Sequence, residues 1–479
     1  MGRNHLCFFA LLFSPFILFA LLACQPPIGH SGLGKQGCKR CHDIRLDPNH
    51  SFACTSCHRG QAKGYVKDQA HKGLVRHPAS PENAKIFCAR CHEKEYLSAQ
   101  ASIHYSLKKE IGKIWQAFFP GDMAPPIKAI RGVEKPDTKR AIIMDALARR
   151  CLRCHVYYQG ESYKGTHRGT GCAACHMDVG RTGHHILKKP RERNCLSCHY
   201  ANFIGWDYEG RFEKDYPEDF RAPLCQGRHI PRPYGVEWIH MEPDVHKKAG
   251  MTCLDCHDSQ PFHKTAKKKT PSASCIRCHI LKVDIVGHRQ EDIPRAKCSV
   301  CHAVWGVLDL GRNLLRQDEP DLEEWQFLKV EGSSEIETIL DRWANSATLP
   351  PSSVFTMTDK ISGKPFPGLW FAAFEQRRWA PVVLGTDREN RISVIRPLLD
   401  LSISYENSEE ETIFDAIKPG PEGPASSTTT VKIVYPSYIQ IRPLPKSYLW
   451  LPYHPHTIGE PDVFRTRFVQ TLLESKISP

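Results

Sequence analysis

The feature that most constrains this chain is a five-residue pattern, Cys-x-x-Cys-His, which occurs nine times between residues 38 and 302. Eighteen of the 21 cysteines belong to it. Numbered one to nine in chain order, the motifs are Cys38-Cys41-His42, Cys54-Cys57-His58, Cys88-Cys91-His92, Cys151-Cys154-His155, Cys172-Cys175-His176, Cys195-Cys198-His199, Cys253-Cys256-His257, Cys275-Cys278-His279 and Cys298-Cys301-His302. They form three triplets, at residues 38–92, 151–199 and 253–302.

The histidine that follows every cysteine pair indicates the chemistry. Zinc sites use paired cysteines but need no histidine directly after each pair, and a redox dithiol would be expected once. Two thiols at i and i+3 instead reach the two vinyl groups on one edge of a porphyrin, and the next residue directs its imidazole at the iron. We therefore predict nine covalently bound c-type haems. The 18 motif cysteines attach them, and the proximal iron ligands are His42, His58, His92, His155, His176, His199, His257, His279 and His302.

Ligands for the opposite face of each iron are sought among the sixteen histidines outside the motifs. Our first choices are His50, His71, His104, His167, His184, His240, His246, His263 and His288. His185 competes with His184, and the reserve is His30, His77, His229, His454 and His456. Methionine ligation is the alternative, through Met123, Met144, Met177, Met241 or Met251, and it would raise the reduction potential.

The first 23 residues predict export. Leu6 to Ala23 carry no charge, as in the hydrophobic part of a signal peptide. Leu21-Leu22-Ala23-Cys24 resembles a bacterial lipobox, so residues 1–23 are predicted to be a lipoprotein signal peptide and Cys24 the lipidation site. Gln25, by the bacterial sorting rule, favours the outer membrane, on either its periplasmic or its cell-surface face. The alternative is an uncleaved anchor helix, because 18 apolar residues can just span a bilayer.

The density of motifs limits the fold class. The predicted cytochrome region is residues 24–302. Its motifs span residues 38–302 with about 29 residues per motif, too few for an ordinary side-chain core, so the porphyrins must supply much of the buried apolar surface. We predict a mostly irregular and α-helical multihaem cytochrome c fold that the haems organise.

A second, haem-free part is predicted for residues 303–479. Leu369 to Leu384, Arg391 to Tyr405 and Thr428 to Ile441 have strand composition, while Glu335 to Trp343 and Asp462 to Ile477 have helical periodicity. Pro419 to Ser427 is a predicted loop. This β-rich, α+β part is expected to dock a partner or to cover exposed haem edges.

The net charge of +13 has an explanation other than nucleic acid. Residues 25–302 are basic and residues 303–479 are acidic. Nine haems would add two propionates each, so the basic excess has the sign that a haem-dense region needs. We expect no nucleic-acid partner.

The motif-bearing part resembles the multihaem c-type cytochromes with which metal- and sulfur-respiring bacteria export electrons. The nine motifs carry the resemblance, together with Cys151–Tyr158, Asn194–Tyr200 and Gly205–Phe212. Relatives often place Pro-His-Thr before a further Cys-x-x-Cys-His near the C-terminus. Here Pro455-His456-Thr457 is present, but no cysteine follows Cys301.

Three functions remain open. The first is an electron carrier between periplasmic or membrane donors and an outer-membrane or extracellular acceptor, with other redox proteins such as periplasmic cytochromes as partners and no catalytic residues. The second is a reductase in which one haem lacks a distal protein ligand and binds nitrite, hydroxylamine or a sulfur oxyanion. The third is a subunit of a porin–cytochrome conduit, which the predicted lipid anchor would suit. The carrier is the reading that we prefer, so the chain is not predicted to be an enzyme.

Overall fold

The computed structural model describes most of the chain from residue 36 onward. The described residues are 36–44, 46–163, 165–180, 183–200, 205–213, 232–257, 275–319, 329–330, 332–344, 355–380, 382–387, 389–397, 401–407, 409–419, 433–435 and 450–474. The predicted signal peptide, Cys24, His30, His229, His263 and nearly all of the predicted loop Pro419 to Ser427 lie outside them. No helix within these ranges has the length and hydropathy needed to cross a bilayer.

Most α-helices of the described residues are short, and all but the last two lie in the motif-bearing region. The α-helices, α1 to α14 in chain order, are Cys54–His58, Lys67–Ala70, Ala84–Phe87, Ala89–Gln100, Ile103–Ser106, Lys108–Phe118, Lys139–Arg149, Cys172–His176, Glu192–Leu196, Val245–Lys248, Cys253–Cys256, Ser299–His302, Ser334–Ala344 and Val463–Glu474. Short 3-10 turns span Gly37–Arg40, Pro48–His50, Ile127–Ala129, Cys151–Cys154 and Pro233–Gly235. Residues 95–118 fall in three helices, α4, α5 and α6, and Leu107 separates α5 from α6 by adopting a left-handed conformation (φ 42°).

The strands are mostly short before residue 306 and longer after it. In chain order, β1 to β17 are Glu161–Tyr163, Thr166–Arg168, Met177–Gly180, Gly183–Ile186, Arg211–Glu213, Trp238–His240, Gly306–Gln317, Lys329–Val330, Thr356–Thr358, Pro365–Pro367, Leu369–Ala380, Val383–Thr386, Ile392–Pro397, Leu401–Glu406, Thr412–Ile417, Ile433–Tyr435 and Trp450–Pro452. The predicted strand Arg391 to Tyr405 is therefore two strands. The first ends at Pro397, which has no N–H to continue a ladder.

Two sheets of five and four strands form most of the described C-terminal part, and β9 and β10 form a separate two-stranded sheet. The larger has the order β15-β14-β7-β11-β8, in which β11 runs antiparallel to β7 with Leu369 opposite Gln317, and β14 runs parallel to β7. The smaller has the order β16-β12-β13-β17. The two predicted helices of this part are observed as α13 and α14. Asp462 begins α14 by accepting a hydrogen bond from the Arg465 backbone N–H at 2.7 Å.

The largest hydrophobic core among the described residues contains side chains from both sides of residue 302, the boundary that the sequence suggested. Side chains of α6 and α7, among them Trp115 and Ile143, pack in one cluster with Leu314 of β7 and Trp370 of β11. Asp145 of α7 accepts a hydrogen bond from the Trp370 indole at 2.7 Å, and both residues are fully buried. The stretch between the first two triplets and the C-terminal sheet therefore fold as one packed unit.

A second core joins motif nine to the C-terminus. Val300 of α12 packs with Leu384 and Val394 of the smaller sheet and with Val469 of α14. The Arg465 side chain is buried and donates to the backbone carbonyls of Val300 (2.6 Å), Cys301 (3.0 Å) and Ala303. The last motif is thus held by the C-terminal helix.

Candidate haem sites

A tight backbone turn shapes most of the motifs. The motif histidine donates its backbone N–H to the carbonyl of the first cysteine at 2.8–3.1 Å in motifs one, three, six, seven, eight and nine. Residues three apart in such a turn lie on one face, so the turn presents both sulfurs of a motif on the same side. This is the geometry that two thioether bonds to one porphyrin edge require.

Six motif histidines each lie against a second histidine, which comes from outside the motifs. The ring-centre distances are 6.0 Å for His42–His71, 6.2 Å for His50–His92, 6.4 Å for His104–His199, 5.8 Å for His246–His279, 6.1 Å for His257–His456 and 6.0 Å for His288–His302. An iron between two imidazoles, with a metal–nitrogen bond of about 2 Å on each side and about 1 Å more to each ring centre, needs a separation of about 6 Å. The pairs match that separation.

Hydrogen bonds at Nδ1 orient several histidine rings at or near the motifs. The motif histidines His58, His176 and His302 place Nδ1 2.8, 2.9 and 3.3 Å from the carbonyl oxygens of Val75, Leu187 and Gly459. The non-motif histidines His50 and His246 place Nδ1 3.0 and 2.8 Å from carboxylates of Asp47 and Asp244. A metal-bound histidine commonly donates its other N–H in this way, which orients the ring and selects the tautomer.

Five first-choice distal candidates therefore stand beside a motif histidine, although not always the nearest one in sequence. His50 lies just before motif two but faces His92 of motif three, and His71 faces back to His42 of motif one. His104 lies on α5, and its ring lies against that of His199. This short helix between the first two triplets therefore contacts motif six.

The other first-choice candidates are placed differently. His167 is exposed on β2 and lies beside Ser162 (Nδ1 to Oγ 3.3 Å), and His240 is exposed on β6 with its ring against Trp238. His184 and His185 lie on β4, paired with β3 directly after motif five, but their side chains are not among the described ones. His263 lies outside the described residues.

Two reserve histidines take positions that sequence spacing did not favour. His456 lies against His257. The pKa of His77 is lowered by burial, by the charge of Arg76 and by that of His58, so His77 is a neighbour of motif two. The Pro-His-Thr segment was the available signal for His456. Its partner could not be deduced, because the segment after strand β17 lies beside motif seven only in the folded chain.

A buried carboxylate holds His456 in place. Asp207 accepts a hydrogen bond from the His456 backbone N–H at 3.2 Å, and its carboxylate lies 3.8 Å from Nδ1 of the ring. Burial raises the pKa of Asp207, opposed by the charge of His456 and by backbone hydrogen bonds. Asp207 belongs to Gly205–Phe212, one of the segments on which the family resemblance rests.

Cysteine side chains of different motifs lie close to one another, and this proximity suggests an order of sites. Hydrogen bonding between the two thiols shifts the pKa of at least one member in five pairs: Cys38 and Cys54, Cys88 and Cys172, Cys154 and Cys198, Cys195 and Cys253, and Cys275 and Cys298. Cys57 and Cys88, Cys175 and Cys195, and Cys256 and Cys278 are near enough to interact electrostatically. The resulting order is one, two, three, five, six, seven, eight and nine, and motif four branches from motif six.

The residues present fit haem. Each of the six pairs offers two protein ligands, as a haem iron with four porphyrin nitrogens needs, and within the described ranges no group of three or more His, Cys, Asp or Glu side chains converges on one point. A cavity of about 360 Å³ opens beside Cys195 and Cys253 and is lined by Lys189, Arg191 and Glu192. At motif four, Nδ1 of His155 accepts a hydrogen bond from the Tyr157 backbone N–H at 3.0 Å, and Nε2 is buried without a hydrogen-bond partner.

Comparison with known proteins found no matching family model, no similar curated protein and no similar solved structure.

Proposed function

We propose that this chain is a nonahaem c-type cytochrome that carries electrons singly along its nine haems, between a donor and an acceptor outside the cytoplasm. The observation that supports it best is the set of six histidine pairs, each of which joins a motif histidine to a second imidazole at the separation that one iron needs. Haem iron supplies a one-electron couple when bound.

The contacts between motifs support a continuous route. A thioether sulfur lies at the edge of its porphyrin, so sulfurs that lie close together imply neighbouring porphyrin edges. Eight motifs follow one another in this way, four of the links through thiol hydrogen bonding and three through electrostatic interaction alone, from motif one near residue 38 to motif nine beside the C-terminal helix. Electrons would enter at one end of this series and leave at the other.

The protein's own residues would orient the ligands and set the potential. Carbonyls such as that of Val75 and carboxylates such as that of Asp244 fix imidazole orientation, and two imidazoles per iron favour low potentials over methionine ligation. Partners are proposed to be other redox proteins, and attachment is proposed through lipid at Cys24, with the outer membrane as the location.

The test combines haem counting with a matched pair of histidine variants. Intact mass and pyridine haemochrome absorbance should give nine haems per chain, and low-temperature EPR of the oxidised protein should be mainly low-spin. His71→Ala should convert one low-spin haem to high-spin, because His71 faces His42. His167→Ala, at an exposed histidine with no motif histidine beside it among the described residues, should leave the spectrum unchanged.

Fewer than nine haems would contradict the proposal. So would an unchanged spectrum in His71→Ala, since the paired geometry would then have no role in ligation.

A further inference from the structure

Two of the candidate distal histidines bind a buried carboxylate through their rings. Nδ1 of His50 lies 3.0 and 3.2 Å from the two carboxylate oxygens of Asp47. Nδ1 of His246 lies 2.8 Å from Oδ1 of Asp244. The two aspartates are 5 % and 2 % exposed, so water screens their charges less than it would at the surface.

The carboxylate determines which ring nitrogen can bind a metal. An ionised carboxylate only accepts hydrogen bonds, so the ring donates from Nδ1 and keeps its lone pair on Nε2. An iron ligand that binds through Nε2 needs this tautomer. The ring centre of His50 lies 6.2 Å from that of His92 in motif three. The ring centre of His246 lies 5.8 Å from that of His279 in motif eight.

The same local arrangement places both aspartates. Asp47 begins the 3-10 turn Pro48–His50, where its side chain accepts a hydrogen bond from the Asn49 backbone N–H at 3.1 Å. Asp244 begins α10, and its side chain accepts one from the His246 backbone N–H at 2.8 Å. In each case the residue that caps the helical turn also bonds to the ring of a histidine in that turn. The backbone bond therefore holds the carboxylate in position for the ring.

Other histidine rings near the motifs have neutral or more distant partners. The motif histidines His58, His176 and His302 place Nδ1 beside backbone carbonyls. The carboxylate of Asp207 lies 3.8 Å from Nδ1 of His456, beyond hydrogen-bond distance. The direct bond to a buried carboxylate is observed for the histidines that face motifs three and eight.

A carboxylate bonded to an axial imidazole changes the energy of the iron. It draws the Nδ1 proton toward itself and makes Nε2 a stronger electron donor. A haem iron with its four porphyrin nitrogens is more positive when oxidised than when reduced, so stronger donation and a nearby negative charge both favour the oxidised form. A hydrogen bond to a neutral carbonyl is weaker and has a smaller effect.

We propose that the aspartate of each pair is a positioning residue that lowers the reduction potential of the haem to which its histidine is bound. Asp47 acts through His50 at motif three. Asp244 acts through His246 at motif eight. This inference rests on the proposed function, because it requires haems at those two motifs. Motifs three and eight lie near opposite ends of the series, so an electron that passes along it meets a less favourable haem near each end.

The test is a reductive titration of the haem-loaded protein, followed by absorbance, with the haem count measured on the same samples. Asp47→Asn and Asp244→Asn remove the charge but keep the helix cap, since Asn and Asp are about equally good at that position. We expect each variant to keep nine haems and to move one haem to higher potential. At that haem the equilibrium between oxidised and reduced iron should shift about tenfold toward the reduced form, which is about 59 mV for a one-electron couple.

A spectroscopic measurement on the same samples reports the ligand itself. The near-infrared charge-transfer band of low-spin haem moves to shorter wavelength as the axial imidazole becomes a stronger donor. In each Asn variant the band of one haem should therefore move to longer wavelength. If the Asn variants do not fold, the unaltered protein still provides a test, because two of its haems should show this band at shorter wavelength than the others.

Asp68→Asn is the matched control. Asp68 lies three residues before His71, as Asp47 does before His50, but it is exposed, and among the described residues no hydrogen bond joins its side chain to the His71 ring. Its titration and its near-infrared band should match those of the unaltered protein.

The outcomes separate the two proposals. Fewer than nine haems in the unaltered protein would overturn the proposed function and this inference with it. Nine haems with potentials that Asp47→Asn and Asp244→Asn leave unchanged would overturn this inference alone, and a loss of stability without a change of potential would show that the aspartates serve as helix caps. An equal shift in Asp68→Asn, or one band position for all haems of the unaltered protein, would overturn the role of the hydrogen bond.

Discussion

His257 and His456 lie with their ring centres 6.1 Å apart and their planes inclined by 32°, although one belongs to motif seven and the other to the C-terminal part of the chain. The part without motifs therefore contributes a candidate iron ligand to the part that has them. Asp207 links the two by binding the His456 backbone. In this respect the C-terminal part belongs structurally to the haem region and is not a separate unit.

Replacing His456 should open the iron of motif seven. In His456→Ala we expect one additional high-spin haem and one additional CO bound in the reduced protein, because the sixth ligand is lost. His240→Ala is the control, since His240 is exposed with its ring against Trp238. EPR and CO titration measure the effect, and an identical CO count in both variants would rule out His456 as a ligand.

Replacing Arg465 should loosen motif nine. Its guanidinium donates to three backbone carbonyls from a buried position, and hydrogen bonds from a charged group are each worth about 1.5–3 kcal/mol. We expect Arg465→Gln to lower the free energy of unfolding by about 3 kcal/mol, measured by denaturant titration of Trp fluorescence and Soret circular dichroism. Arg467→Gln, on the exposed side of the same helix, should change it by less than about 0.5 kcal/mol.

Replacing Asp145 should separate α7 from the larger sheet. Asp145 is fully buried, pairs with Arg149 (Oδ1 to Nε 3.1 Å) and accepts from the Trp370 indole. Asp145→Ala would leave the buried Arg149 without this carboxylate, a change that costs about 3–5 kcal/mol. Asp68→Ala, at an exposed position, is the matched control. Equal unfolding midpoints for the two variants would contradict the prediction.

Asp387 should make the stability of the C-terminal part depend on pH in the acid range. Burial acts to raise the pKa of Asp387, but hydrogen bonds from the Arg391 backbone and side chain, together with Lys297, outweigh it and lower the pKa below its ordinary 3.8. A carboxylate with a depressed folded-state pKa stabilises the fold above the unfolded-state pKa, and this contribution is lost as pH falls through the folded-state value.

Asp387→Asn should therefore be less stable than the unaltered chain at pH 6, and the difference should shrink as pH falls below about 4. Urea titrations at a series of pH values measure it. Glu389→Gln at an exposed neighbouring position is the control. A difference between Asp387→Asn and the unaltered chain that is constant with pH would show that the Asp387 charge is not involved.

The regular elements of the C-terminal part were largely predictable. The periodicity of Glu335 to Trp343 predicted α13, and the composition of Leu369 to Leu384 predicted β11 and β12. The shared core of Trp115 and Trp370 was not predictable, because the residues that pack there are remote in sequence and only the folded chain brings their apolar faces together.

The sequence by itself determined the haem attachment chemistry that we predict, because a Cys-x-x-Cys-His motif is local: its sulfurs and imidazole are placed by one turn of backbone. Only the tertiary structure decided which histidines face the motif histidines. His50 lies against His92, His456 lies against His257, and the aromatic rings beside His155 among the described residues are those of Tyr157 and Tyr158. The physical reason is that a pair of axial ligands spans the porphyrin, so the second imidazole can come from any segment that packing brings to that face, and sequence spacing carries little information about it.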